Sequence, residues 1–423
     1  MKRVLIISPH FPPVNAPDMQ RVRMSLPHYH EFGWEAEVIC VDENFTEGFR
    51  DELLRATIPA DIPVHKVKAW PVNITRKLGL GSLSMRSYYQ FKKKGTALLQ
   101  EKKFDLVFFS TSMFHVCALG RYWKKKFGIP FIIDMQDPWR NDFHLDKPAS
   151  ERPPKFWIAY TINKQMEAFT MPSVDGLMSV SQGYIDELRN RYHGIKNKPA
   201  AVIPFGCSAA DYKLVREKNI QPEIIRLNEG KINVVYVGAV TKFFLPLLHA
   251  FFTAFAESGI HKERYHFYFI GTNYAINAAE KPVEELAASA GMKGSVTEVP
   301  ERIPYFSALS TLLHADILFI PGSTDPDYNA SKVYNNILSG KPVFSIFNQR
   351  SLVKKVIEES EAGIVVAVDE ADNETMLTKK IAERLREFEQ LHKQTGTKNN
   401  AIDEFSSRAM TQKQVDLFNQ VIS

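Results

Sequence analysis

The sequence predicts an α/β protein of two tandem, doubly wound, Rossmann-like domains facing a cleft, and three observations carry the prediction. Short, almost wholly apolar runs alternate with longer amphipathic stretches, the pattern of a parallel sheet covered by helices on both faces. The alternation stops over 206–230, a polar stretch with proline and glycine, and then starts again. A length of 423 residues exceeds what a single hydrophobic core ordinarily serves.

In chain order, the first series of expected strands is VLIIS (4–8), AEVICV (36–41), VHKV (64–67), DLVFFS (105–110), PFIID (130–134), GLMSV (176–180) and AVIPF (201–205). The second is INVVYVG (232–238), YHFYFIG (265–271), SVTEV (295–299), ADILFIP (315–321), KPVFSI (341–346) and GIVVAV (363–368). Helical patterns such as SMRSYYQFKKKGTALLQEKK separate them. These runs place a first domain at 1–205, a linker at 206–230 and a second domain at 231–405. A charged helix over 371–394, a polar break TGTKNN and a final amphipathic helix within 406–423 close the chain. Doubly wound sheets bind ligands at the carboxyl ends of their strands, so the residues just past each strand are the site candidates.

Composition narrows the class. Hydrophobic residues at 44% and charged residues at 24% are ordinary for a globular chain, so disorder is not expected. No apolar run approaches the roughly 18 residues that cross a bilayer. The start, MKRVLIISPHFPP, has only VLII as an apolar core before its prolines, and reads as a buried strand rather than a leader. Cys40, Cys117 and Cys207 lie far apart without CxxC spacing. They are expected as small buried hydrophobes in a reducing, cytoplasmic setting, with neither a disulfide nor a metal. Residues 1–205 hold 29 Lys and Arg against 21 Asp and Glu, whereas the remainder holds 24 against 27. The runs Lys92–Lys94, Lys102–Lys103 and Lys124–Lys126 read either as solvated helix faces or as contacts to an anionic membrane surface or a phosphate-bearing acceptor. A nucleic-acid partner is not expected, since no RNP-like, zinc-finger or helix-turn-helix signature accompanies the charge.

The first strand runs into SPHFPPVNAPDMQRVRMSLPHY, a loop with three prolines and no glycine, which excludes a dinucleotide fingerprint. Asp18, Gln20, Arg21 and Arg23 open the next helix, either as a cap with surface arginines or as substrate-facing groups. His115 follows DLVFFS and Asp137 follows PFIID, at equivalent strand ends. Each reads as a structural residue or as a member of one strand-end site, and Asp137-Pro138-Trp139 also reads as a simple turn. In the second half, Gly238 and Gly271 end strands and permit close approach of a ligand, while Lys242 suits either a phosphate or solvent. No Walker lysine, HExxH, GxSxG or Cys/His metal spacing appears, so any chemistry rests on positioning and electrostatics.

Several segments share a wider pattern: the MKRVLIISPHFPP start, FGWEAEVICV, TSMFHVCALG, IIDMQDPW, VIPFGCSAADY, and HADILFIP followed by GKPVFSI. In this order, and from near residue 1 to the last helix, they resemble the retaining GT-B glycosyltransferases of family four. The resemblance implies a sugar moved from a nucleoside-diphosphate sugar, UDP- or GDP-linked, to a saccharide or lipid-linked saccharide acceptor with retained anomeric configuration. It also implies a role in surface polysaccharide assembly, at the inner face of the membrane for lipid-linked acceptors. The second domain would bind the donor and the first the acceptor, and helix 406–423 would pack back on the first domain. No metal or other cofactor is required, because basic side chains and helix N-termini neutralise the leaving diphosphate.

The family's two glutamates, eight positions apart, fall on Asp327 and Asn335 when counted back from Gly340-Lys341-Pro342-Val343. In relatives the second carboxylate holds both ribose hydroxyls; an asparagine has one acceptor oxygen and no charge, which weakens that clamp. The usual arginine after Gly238 is Ala239, and Lys242 misses the lysine's offset, so Lys332 at the start of helix 331–339 is expected to compensate. The resemblance assigns Asp327, Asn335 and Gly238 to the donor, and Lys242, Gly271 and Lys332 join them by their positions at strand ends and helix starts. It assigns His115 and Asp137 to the transferred sugar, Asp18 and Arg21 to the acceptor side, and base contacts to backbone over 299–306. Two alternatives stay open: a non-catalytic nucleotide- or saccharide-binding module of the same fold, and a nucleotide-sugar epimerase.

Overall fold

The computed structural model describes every residue except 79–80, 143–144, 146–147, 149–151, 153–155, 223–225, 274–279, 327, 329 and 394–399. The chain divides into two compact units, Met1–Phe205 with Ser407–Ser423, and Gly206–Ser406. All thirteen expected strands form, within one or two residues of their predicted ends in most cases.

Unit 1 carries a seven-stranded parallel sheet in the order β3-β2-β1-β4-β5-β6-β7. Its strands are β1 Lys2–Ile7, β2 Trp34–Val41, β3 Val64–Val67, β4 Leu106–Ser110, β5 Phe131–Met135, β6 Gly176–Ser179 and β7 Ala200–Val202. Its helices are α1 Gln20–Ser25, α2 Val72–Thr75, α3 Leu83–Glu101, α4 Ala118–Phe127, α5 Phe156–Thr170 and α6 Gln182–Arg191. Strands β4 and β5 are buried at every position, as the near-continuous apolar runs require when helices cover both faces.

Unit 2 carries a six-stranded parallel sheet in the order β10-β9-β8-β11-β12-β13. It opens with helix α7 Ala209–Glu217, so the stretch expected only as a linker also supplies a capped helix, with the Ser208 side chain accepting from Asp211 N. The strands are β8 Ile232–Val237, β9 Tyr265–Ile270, β10 Val296–Val299, β11 Ile317–Ser323, β12 Val343–Asn348 and β13 Gly363–Val368. The remaining helices are α8 Leu245–Glu257, α9 Pro282–Ser289, α10 Tyr305–His314, α11 Lys332–Leu338, α12 Leu352–Glu359, α13 Glu374–Leu391 and α14 Asn400–Asp403. Phe251 of α8 stands at the centre of this core, 4.6 Å from the Phe319 ring and 5.7 Å from those of Phe267 and Phe344.

The last helix, α15 Ser407–Ile422, belongs to unit 1. Gln414 donates to Ser25 Oγ at 2.7 Å and accepts from the Tyr29 hydroxyl at 2.9 Å, both fully enclosed. Phe418 packs edge-on against Trp34 and Phe108. The three cysteines are buried and unpaired, and burial pushes the Cys40 thiol up to about 12, which keeps it unreactive.

Replacing Phe251 by alanine removes a ring that touches several others, and is expected to cost about 3–5 kcal/mol. Urea unfolding followed through the amide exchange of β8 and β11 measures it. A loss below about 1 kcal/mol would show that the cluster closes over the cavity.

Candidate functional site

In unit 2, the site candidates gather where β8, β9 and β10 end. Gly238 follows β8 at φ +150°, and its N–H donates to Ile270 O at 2.7 Å. A Cβ at that position would stand 1.8 Å from Lys332 Nζ and 2.3 Å from its Cε, so only glycine leaves the lysine its place. Lys332, the first residue of α11, donates to Tyr236 Oη at 3.1 Å and lies 5.1 Å from that ring's centroid. The Tyr236 hydroxyl donates to Ala239 O at 2.8 Å, which leaves its oxygen lone pairs facing the ammonium.

Among the described residues the hydrogen-bond partner of Lys332 is thus a neutral phenol, and no carboxylate stands within ion-pair distance. Burial, and then the charge of Arg302, lower its ammonium to about 8. An anion placed beside such an ammonium would oppose both effects. Arg302 lies in the loop after β10, and the site a Cβ of Gly271 would take is 3.9 Å from the Arg302 Cα. Gly271 itself adopts φ +71° as β9 ends. The structure thus sets Gly238 against Lys332 and Gly271 against Arg302, with Tyr236 and Arg302 as neighbours the sequence did not single out.

Asn335 sits one helical turn beyond Lys332. Its Oδ1 is enclosed without a hydrogen-bond partner among the described residues, and its main-chain oxygen accepts from the Tyr212 hydroxyl of α7 at 2.7 Å. A neutral amide is less costly to enclose there than a carboxylate would be. Asn336 beside it is buried. Lys242 is not part of this group: it is exposed in the turn before α8 and forms no hydrogen bond or ion pair among the described residues. Asp327 lies outside the described residues.

In unit 1, the strand-end residues divide into a buried strut and an open rim. Arg21 is 1% exposed, and its guanidinium donates to Asp134 Oδ2 at 2.6 Å, Ile203 O at 2.7 Å and Pro204 O at 3.3 Å. This corrects the expectation of an acceptor-side role: all three of its nitrogens are engaged inside the unit. Its charge was legible but its partner was not, because Asp134 lies 113 residues away. Ser110 Oγ and Gln136 Nε2 also donate to Asp134 Oδ2, each at 2.8 Å.

Asp18 is nearly buried too, yet it holds a residue that is not. His10 Nδ1 meets Asp18 Oδ1 at 2.9 Å, while Thr111 Oγ1 donates to Asp18 Oδ2 at 2.8 Å. Burial alone lowers the imidazole, but the Asp18 charge and hydrogen bond outweigh it and hold His10 above its ordinary 6.5. Asp18 itself is lowered below 3.8 despite burial, by His10, Thr111 and the Ser112 amide. His10 is the residue sequence reading missed here, although it stands directly past the first strand in SPHFPP.

His115 occupies the turn Phe114–Cys117 after β4, with Nδ1 2.9 Å from Ser84 Oγ and its ring edge-on to Trp139. Burial lowers its imidazole below 6.5, against a smaller opposing effect of the Asn163 amide. Its Nε2 and the Trp139 Nε1 are both enclosed without hydrogen-bond partners among the described residues. Asp137 is exposed past β5, and its carboxyl is raised by desolvation and by the charges of Asp18 and Asp134. The strand ends of unit 1 thus carry a His10 held above its ordinary value by Asp18, a His115 lowered by burial and an Asp137 raised by burial and neighbouring carboxylates.

Residues 20–206 match the family described as glycosyl transferase 4-like domain. No curated protein matches the sequence at a significant level. Among solved structures, Anabaena HepE in complex with UDP-glucose aligns over 98% of this chain and 99% of its own, at 14% identity and TM-score 0.58. An α,α-trehalose-phosphate synthase (UDP-forming) from Burkholderia xenovorans in complex with glucose-6-phosphate aligns over 99% and 100%, at 10% identity and TM-score 0.59. A putative UDP-N-acetylglucosamine 2-epimerase from Listeria monocytogenes aligns over 98% and 95%, at 13% identity and TM-score 0.54. Likenesses at this identity establish the two-sheet architecture and nothing finer.

The His10–Asp18 pair has a defined pH window. The raised His10 contributes stability below 6.5 that is lost as pH rises through its folded value. The lowered Asp18 contributes above 3.8, and its share is lost as pH falls through its own folded value. Proton NMR of the His10 ring is expected to show a midpoint above 6.5, falling below it in Asp18→Asn, where burial acts alone. A wild-type midpoint at or below 6.5 would contradict the pairing.

Proposed function

From a chain that has the two-sheet GT-B architecture, with residues 20–206 a glycosyl transferase 4-like domain, we propose a retaining glycosyltransferase that works without a metal. It moves a sugar from a nucleoside-diphosphate sugar, UDP- or GDP-linked, to a saccharide or lipid-linked saccharide acceptor in surface polysaccharide assembly. One observation carries the reading: Lys332, with no carboxylate partner among the described residues, is held over Tyr236 in space that only Gly238 leaves open.

On this reading Lys332 and Arg302 supply the charge that relatives place after the first strand of the donor domain, where this chain has Ala239. Departure of a diphosphate builds negative charge, and a preorganised ammonium in partly desolvated surroundings stabilises that charge more than the substrate's. Asn335 offers its amide to the ribose, and Asp327 keeps the first acidic position of the signature. His115, neutral at physiological pH, and Asp137 flank the transferred sugar on the acceptor side. Asp18 acts behind them by fixing His10.

A second reading, a nucleotide-binding module without turnover, is favoured by one feature, the amide at Asn335 in place of an acid. Calorimetry with UDP and GDP, followed by incubation with a panel of nucleotide sugars, separates the two.

Lys332→Ala and Gly238→Ala are each expected to weaken diphosphate binding by about tenfold or more, the loss of one charge-assisted contact. Asn335→Glu is expected to strengthen ribose-dependent binding if the amide is a weakened clamp. Unchanged affinity in Lys332→Ala would remove the phosphate assignment. Binding in the wild type with no turnover of any donor would leave the module.

A further inference from the structure

We propose that α5 docks unit 1 onto an anionic lipid bilayer, lying in the headgroup layer along its exposed face. The lysine runs first suggested for such contact are partly engaged within the fold. Lys102 pairs with Glu37, Lys124 with Asp175, and Lys92 and Lys126 lie over the Tyr122 ring. Helix α5 is different. Of its fifteen residues only Glu167 and Thr170 are buried.

Of its exposed positions, all but 159 (157, 158, 161, 164, 165, 168 and 169) recur at three- and four-residue spacing and share one side of the helix. That side exposes Trp157 by 54%, Ile158 by 60% and Phe169 by 50%. It carries Lys164 and no acid, because the one carboxylate of the helix, Glu167, is turned inward onto Arg191 at 2.6 Å and Tyr192 at 2.9 Å. Two guanidinium groups lie against its rings, Arg121 at 4.3 Å from the Phe169 centroid and Arg152 at 5.1 Å from that of Trp157.

Aromatic and aliphatic side chains interleaved with cations, without acids, match the layer where acyl chains meet anionic headgroups. The surrounding half of the chain adds 29 Lys and Arg against 21 Asp and Glu. A second copy of this chain is the poorer occupant, since like faces would bring Lys164, Arg121 and Arg152 against their own counterparts. The inference deepens the acceptor side of the proposed function and rests on that reading only for the acceptor's being lipid-linked.

The test is co-sedimentation of the full chain with phosphatidylcholine vesicles, with and without phosphatidylglycerol. Binding is expected only with the anionic lipid, weakening as salt rises, and about tenfold or more weaker in the double variant Trp157→Glu, Ile158→Glu. Trp157→Phe is expected to keep binding while losing most of the vesicle-induced blue shift in tryptophan emission. Circular dichroism melting and UDP or GDP binding of each variant show that the fold and the donor site are intact. Wild-type binding to vesicles that the double variant retains would overturn the proposal, as would no binding to either vesicle. A dimer in solution that the double variant abolishes would assign the face to a second copy instead. Lys332→Ala is expected to leave vesicle binding unchanged, so a failed donor assignment and a failed docking surface are told apart.

Discussion

A carboxylate in the middle of a sheet covered on both faces is the constraint around which unit 1 is arranged. Asp134 is fully buried on β5, and such a charge is tolerated only when paired and hydrogen-bonded. Arg21 supplies the pairing, and it reaches at the same time the backbone of Ile203 and Pro204, where the chain leaves the unit. Ser110 and Gln136 add donors from β4 and from the end of β5, and Gln136 also holds Asp18 O at 3.1 Å. One ion pair therefore ties α1, β4, β5 and the exit strand together. Removing either partner from such a pair typically costs about 3–5 kcal/mol, because the other is left charged and unmatched. His10 inherits its placement from this frame, since Asp18 can hold it only while the helix start is held.

Unit 2 solves the opposite problem. Its strand ends concentrate cationic character, Lys332 and Arg302, without a carboxylate on Lys332 to balance it among the described residues. Gly238 is the enabling residue: any side chain there would displace the ammonium. The same helix then presents Asn335, tied through its main chain to Tyr212. The helix α7 in what reads as a linker thus braces the helix that bears Lys332.

Much of this was legible before any coordinates. Thirteen strands are visible as apolar runs because both-face burial leaves β-branched and aromatic residues few alternatives. The candidates at Gly238, Gly271, Lys332 and His115 follow from the rule that doubly wound sheets bind at strand ends. Less legible was the setting of individual charges. Arg21 read either as a surface arginine or as a substrate-facing one and is buried on Asp134, while Lys242 suited a phosphate or solvent and is exposed. Position along an element was legible, but the direction of a long side chain was not.

By itself the sequence determined the class of fold, the count and order of the strands, the two-part division and the strand ends at which polar groups can stand. It did so because periodicity and burial are local properties, written within a few residues. Only the tertiary structure decided which charges are matched. Arg21 and Asp134 are 113 positions apart, Lys332 and Tyr236 are 96 apart, and Glu167 turns inward from a helix whose other side is apolar and cationic. Such pairings depend on packing between distant segments, which no local pattern of residues records.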